Sequence, residues 1–132
     1  MVERREVAGF GPWTVKQGRV HVAPPVSALE RMVTVRLLLD PVDADNAPLL
    51  VAPGSPRLGL IAEDAIEGVV GQLGEAVCLA EAGEVRLYRT LILHASARAG
   101  PGRHRRVLQI DLSADDLPGG LRWGTDGQGR LS

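Results

Sequence analysis

The chain has 132 residues and a mass of 14.0 kDa, enough for one ordinary domain and too little for two. Hydrophobic residues make up 45% and charged residues 23%, a balance that excludes a disordered tail or a solvated linker. Fifteen cations against sixteen anions give a net charge of −1, with no electrostatic signature of a nucleic-acid or membrane partner. The core must be aliphatic, because Phe10, Trp13, Tyr88 and Trp123 are the only aromatic residues apart from histidine. Apolar runs fall far short of the ~20 residues that span a bilayer. The start, Met1 to Glu6, is charged and has no apolar stretch after its arginines, so a secretory signal is not expected. Cys78 is alone, which forbids an intramolecular disulfide and points to a reducing cytoplasm.

Residues 1–30 lack sustained periodicity and read as an irregular lead-in, broken by Gly9, Gly11, Pro12 and Pro24-Pro25, with one helical turn over Val26 to Arg31. Met32 to Leu39 is rich in β-branched residues and predicts a strong strand ending at Asp40-Pro41. Asp43-Ala44-Asp45-Asn46 is turn chemistry, and a short strand follows at Leu49-Leu50-Val51. Residues 62–74 predict the one clear helix, with Glu63 and Asp64 at its positive end and Ile66, Val69, Val70 and Leu73 at helical spacing. Val77 to Ala80 predicts a short strand and Val85 to His94 a long one. Arg105 to Leu112 is its expected hairpin partner across the loop 95–104. Residues 124–132 are polar and glycine-rich, a flexible tail. Five or six strands around one helix make a mostly β sandwich or barrel in a single domain over 1–132.

In such a hairpin, His94 and Arg105 stand opposite each other with Cβ atoms roughly 5 Å apart. Val107, Gln109 and Asp111 then share the face of Arg105, while Arg106, Leu108, Ile110 and Leu112 take the other. One face is small or polar and the other greasy, which suggests a cavity wall backed by something else. A strand-end histidine beside an arginine is by itself better explained by ordinary hydrogen bonding than by metal binding.

A series of phrases gives the pair more meaning. Leu29 to Leu37, Asp43 to Leu49, Pro53-Gly54-Ser55, Leu91 to Ser96, Arg105 to Leu108 and Leu117 to Trp123 together resemble the phytanoyl-CoA dioxygenase family over about residues 3–123. The resemblance implies a double-stranded β-helix, the cupin-like jelly roll, incomplete at its N-terminal side. It also implies a cytoplasmic oxidoreductase that uses Fe(II), O₂ and 2-oxoglutarate to hydroxylate a small organic substrate. By position in the motifs, His94 corresponds to the distal iron ligand and Arg105 to the residue that grips the far carboxylate of 2-oxoglutarate. Ser96 matches a serine that adds a hydrogen bond to that carboxylate. Arg106 is the neighbouring alternative to Arg105, although the hairpin register points it to the opposite face.

The departure from the family is larger than any of these matches. The other two ligands come from a His-x-Asp, and none occurs here: His21, His94 and His104 are followed by Val22-Ala23, Ala95-Ser96 and Arg105-Arg106. In similar family members that pair lies shortly before the segment reading Glu3 to Val7 here, so the expected chain begins just downstream of it and is inactive as written. Ala47 stands where relatives often have Gly, and fits a turn only if its φ is negative. Pro56 and Gln109 stand where relatives often have His.

Other motifs reduce to structure. Asp40, Asp43, Asp45 and Asn46 lack the spacing of an EF-hand. Gly9-Phe10-Gly11 is no dinucleotide fingerprint. Ser55 is a turn residue and no nucleophile elbow. Cys78 is a small apolar filler, and Trp13 is a packing residue or a cavity wall. Three functions follow: an oxygenase whose remaining ligands are encoded upstream, a non-catalytic carboxylate-binding jelly roll, or a remnant that acts as an interaction module. In the last, Leu108, Ile110 and Leu112 form an uncovered face through which the chain self-associates.

Overall fold

The computed structural model describes residues 6–16 and 18–123. Among the described residues, eight strands form three antiparallel sheets. Strands β1 (Trp13–Lys16) and β2 (Arg19–Val22) make a hairpin, with Trp13 opposite Val22. Helical turn α1 (Val26–Leu29) leads into β3 (Met32–Leu38), and β4 (Leu49–Val51) follows the acidic turn. A short 3-10 turn at Glu63–Ala65 runs into α2 (Ile66–Leu73); together they fill the predicted helix. The remaining strands are β5 (Ala76–Cys78), β6 (Val85–Arg89), β7 (His94–Ser96) and β8 (Val107–Ser113). One sheet has the order β6-β3-β8 and another the order β5-β4-β7. Residues from both line one cavity, among them Arg36 and Leu38 from the first and Leu49 and Cys78 from the second. The two sheets therefore face each other.

Two expectations are corrected. The lead-in is not irregular throughout, because Gly18 (φ 75°) turns two short strands into a hairpin that a wider hydrophobic window averages away. Nor do the segments around His94 and Arg105 pair as a hairpin. Strand β6 stops at Arg89, where the Ile92 N–H bonds back to the Arg89 carbonyl (3.0 Å) and turns the chain. Leu93 is then captured by the other sheet: its N–H donates to Ser55 Oγ (2.9 Å) and its carbonyl accepts from Ala52 N (3.0 Å). Consequently β7 pairs with β4, Val51 opposite His94, while β8 pairs with β3. The expected flexible tail, 124–132, lies outside the described residues.

Strand β3 alternates buried and half-buried positions along its length. Met32, Thr34, Arg36 and Leu38 point inward, and Val33, Val35 and Leu37 outward. Register extends this across the sheet: Arg86–Arg36–Gln109 form one inner row and Tyr88–Thr34–Asp111 the next. The outer rows are Val85–Leu37–Leu108, Leu87–Val35–Ile110 and Arg89–Val33–Leu112. An antiparallel sheet with one wet face ordinarily buries its apolar side. Here the polar residues face the other sheet and eight aliphatic side chains face outward, with Leu87 69% exposed.

Helix α2 covers the far face of the second sheet. Ile66 and Val70 sit over Leu50 and Leu93 across an open cleft of about 110 Å³ that Glu75 and His94 also line.

Candidate functional site

Arg105 is held at the mouth of the inter-sheet cavity by the residue after it. The Arg106 guanidinium grips both carboxylate oxygens of Asp40 (Nε to Oδ2 3.0 Å, Nη2 to Oδ1 2.7 Å), and its backbone N–H adds a third bond (2.7 Å). Asn46 Nδ2 ties the same loop down by donating to the carbonyls of Pro41 (3.0 Å) and His104 (2.9 Å). Arg103 pairs with Asp43. The aspartates at 40 and 43 thus anchor arginines, while the Asp43 side chain also accepts from Asp45 N–H (3.0 Å) in a local turn. Arg106 points away from the cavity, and Arg105 points in.

The Arg106 side chain, and then its backbone N–H, hold the Asp40 carboxyl down to about 2, from an ordinary 3.8. A lowered carboxylate pKa stabilises the fold above the unfolded value and is lost as pH falls through the folded one. The melting temperature should therefore drop between about pH 4 and pH 2. Asp40→Asn should lie below wild type at neutral pH and converge with it in acid. Parallel curves for the two proteins would refute the linkage.

Three features converge on the cavity around Arg105. One Nη of Arg105 donates to the Ala47 carbonyl, and the other reaches Ser96 Oγ at 3.5 Å. Burial, and then the charge of Arg36, lower the Arg105 pKa. Ala47 has φ +50°, contrary to the expectation of a negative value. This left-handed conformation costs an L-residue roughly 1–2 kcal/mol. It is imposed by the turn that Asn46 anchors, and the Ala47 carbonyl receives Arg105.

His94 begins β7, two residues before Ser96. Its Nδ1 lies 2.9 Å from the Ile92 carbonyl; a carbonyl only accepts, so Nδ1 donates there and Nε2 is left for another partner. Tyr88 of the opposite sheet packs near it, with ring centroids 6.4 Å apart, and the Tyr88 hydroxyl is buried without a partner. Thr34 Oγ1 donates to Asp111 Oδ1 (2.6 Å), so its 3.0 Å contact with Thr90 must use the Thr90 proton.

The structure therefore brings Arg105 to Ser96, and places His94 on the same short strand as Ser96. It leaves Arg106 on the outside. Trp13 lies half-buried in the β1–β2 hairpin, while half-buried Cys78 lines the cavity beside Leu49. Arg36, Arg86 and Tyr88 are the inner-face residues that motif reading missed. Their signal is the period-2 alternation of β3 and β6, which sets Arg36 with Thr34 and Arg86 with Tyr88.

No three His, Cys, Asp or Glu side chains converge as a metal site among the described residues. His94 stands alone as a potential ligand there, and one imidazole does not make an iron site. The described residues do not fit Fe(II) by themselves, and no chemical step is assigned through it.

No protein-family model matches the chain, and no curated protein does either. Solved structures do. EctD from S. alaskensis with 2-oxoglutarate and 5-hydroxyectoine superposes with a TM-score of 0.57 at 22% identity, over 62% of this chain and 30% of that one. The chain has a jelly-roll fold of the EctD kind. The apoform of the same enzyme gives a TM-score of 0.52 at 24% identity, over 61% of this chain, and the form with bound Fe gives 0.50 at 22%, also over 61%. This chain spans about 30% of the EctD length in each case. Among the described residues, no helix is long and apolar enough to cross a membrane.

Proposed function

We propose that this chain carries the cosubstrate half of a 2-oxoglutarate-dependent dioxygenase site, of the phytanoyl-CoA dioxygenase kind. Arg105 and Ser96 take the far carboxylate of 2-oxoglutarate, and the 2-oxo end lies toward His94. The observation that carries the reading is the approach of Arg105 to Ser96 across two sheets, with His94 two residues away presenting a free Nε2. The EctD fold supports it, and the 2-oxoglutarate bound in EctD supplies the ligand class. Hydroxylation of a small organic substrate belongs to the whole oxygenase, with two further iron ligands. The residues described here bind the cosubstrate without turning it over. A reducing cytoplasm suits the lone Cys78 thiol.

Calorimetric titration with 2-oxoglutarate, with and without Fe(II), tests the reading. Saturable one-site binding without metal is the expected result. No binding under either condition overturns it.

The eight outward aliphatic side chains support a second role, as an interaction module whose partner is another copy of this chain. Contiguous apolar surface of this kind drives association. Light scattering should give a mass above 14.0 kDa, and the double substitution Leu87→Lys, Ile110→Lys should lower it. A wild-type monomer across the concentration range would refute self-association.

A further inference from the structure

Arg36 sits in the middle of the central strand of its sheet, between Arg86 and Gln109, with its side chain aimed at the facing sheet. The residue is 8% exposed, and its Nε is buried with no hydrogen-bond partner. Among the described residues it belongs to no ion pair, and neither does Arg105. Arg86, which lines the same cavity, reaches Glu84 (3.0 Å) and the Leu79 carbonyl, yet its Nε is also left unpartnered. The acid in the next inner row, Asp111, is engaged by Thr34. Three guanidiniums thus meet at one cavity, and only one of them has an ionic partner.

A buried cation without a counter-charge destabilises a fold, and evolution ordinarily removes or pairs it. The charge of Arg36 acts on Arg105, so the two repel across the space they share. A bound anion relieves both penalties together. One carboxylate offers four lone-pair positions over two oxygens, enough to accept from Arg105, Ser96 and Arg36 at once. Two uncompensated guanidiniums match a ligand with two negative charges.

We infer that Arg36 is a second guanidinium contact for the ligand and makes the cavity selective for dianions. This rests on the carboxylate-binding reading above and extends it: Arg36 sets the preference for a dicarboxylate over a monocarboxylate of the same length.

The test compares 2-oxoglutarate with 2-oxopentanoate, which lacks the distal carboxylate, and with inorganic phosphate. Titrations are run on wild type, Arg36→Met, Arg36→Lys and Arg105→Met, alongside thermal unfolding of each unliganded protein. Arg36→Met should weaken 2-oxoglutarate binding about tenfold or more and collapse its advantage over 2-oxopentanoate. Arg36→Lys, which keeps the charge but not the fork, should retain part of it. Because the substitution removes an unpaired buried charge, unliganded Arg36→Met should melt no lower than wild type. A purely structural arginine predicts the reverse, a lower melting temperature with the dicarboxylate preference intact, and that result overturns the inference. So does 2-oxoglutarate binding that Arg105→Met abolishes and Arg36→Met leaves unchanged. If wild type ignores 2-oxoglutarate but binds phosphate in an Arg36-dependent way, the dianion cavity stands and the 2-oxoglutarate reading falls. Binding of neither ligand overturns both.

Discussion

Arg105→Met is expected to weaken 2-oxoglutarate binding by at least about 30-fold, the largest loss of any single substitution in the site. Truncating one side of a desolvated, hydrogen-bonded charge pair costs about 2–5 kcal/mol, and every 1.4 kcal/mol is a factor of ten. Arg105 meets the conditions for the lower part of that range, because its surroundings are only partly desolvated. It is partly buried, it reaches Ser96, and Asp40 fixes its neighbour so that its own side chain turns inward. Arg105→Lys should be intermediate, because an ammonium supplies the charge without the planar fork. Calorimetry reads both, and wild-type affinity in Arg105→Met would remove Arg105 from the site.

The second large effect falls on stability. Ser55 is 0% exposed and opens a 3-10 turn (Ser55–Leu58) after Gly54, whose φ of 88° suits glycine. Its Oγ accepts the Leu93 N–H one residue before His94. Ser55→Ala strands that N–H in the space between β4 and the start of β7, which should cost about 1–3 kcal/mol in urea unfolding. A loss below about 0.5 kcal/mol, the ordinary scatter of surface substitutions, would show that Leu93 finds another acceptor. Weaker 2-oxoglutarate binding should accompany the loss, since β7 carries both His94 and Ser96.

Local pattern revealed most of the regular elements. The β-branched run at 32–38, the apolar triplet at 49–51 and the helical spacing from Ile66 to Leu73 each signal through their own neighbours. What local pattern could not reveal was which sheet each strand joins. Residues 85–89 and 94–96 look like one long strand because the turn between them, Thr90 to Leu93, is as apolar as its flanks. The redirection comes from Ser55, 38 positions before the N–H it captures. Ser55 consequently read as a plain turn residue although it also anchors the strand that bears His94. The alternation of residues 107–112 into a polar and a greasy face was legible, but its partner was β3 and not the strand before it. Arg36 was hidden for a different reason. A charged residue inside a hydrophobic strand offers no motif, and its meaning comes only from the Arg86 and Arg105 that the fold sets around it.

The left-handed Ala47 has a consequence for how tightly any ligand is held. Its carbonyl already accepts one N–H of Arg105, which lines the inter-sheet cavity. Arg105 has five N–H donors, so the Ala47 carbonyl takes one of them and leaves others for an incoming carboxylate. The backbone at residue 47 thus orients the fork before any ligand arrives, which lowers the ordering cost that binding would otherwise carry.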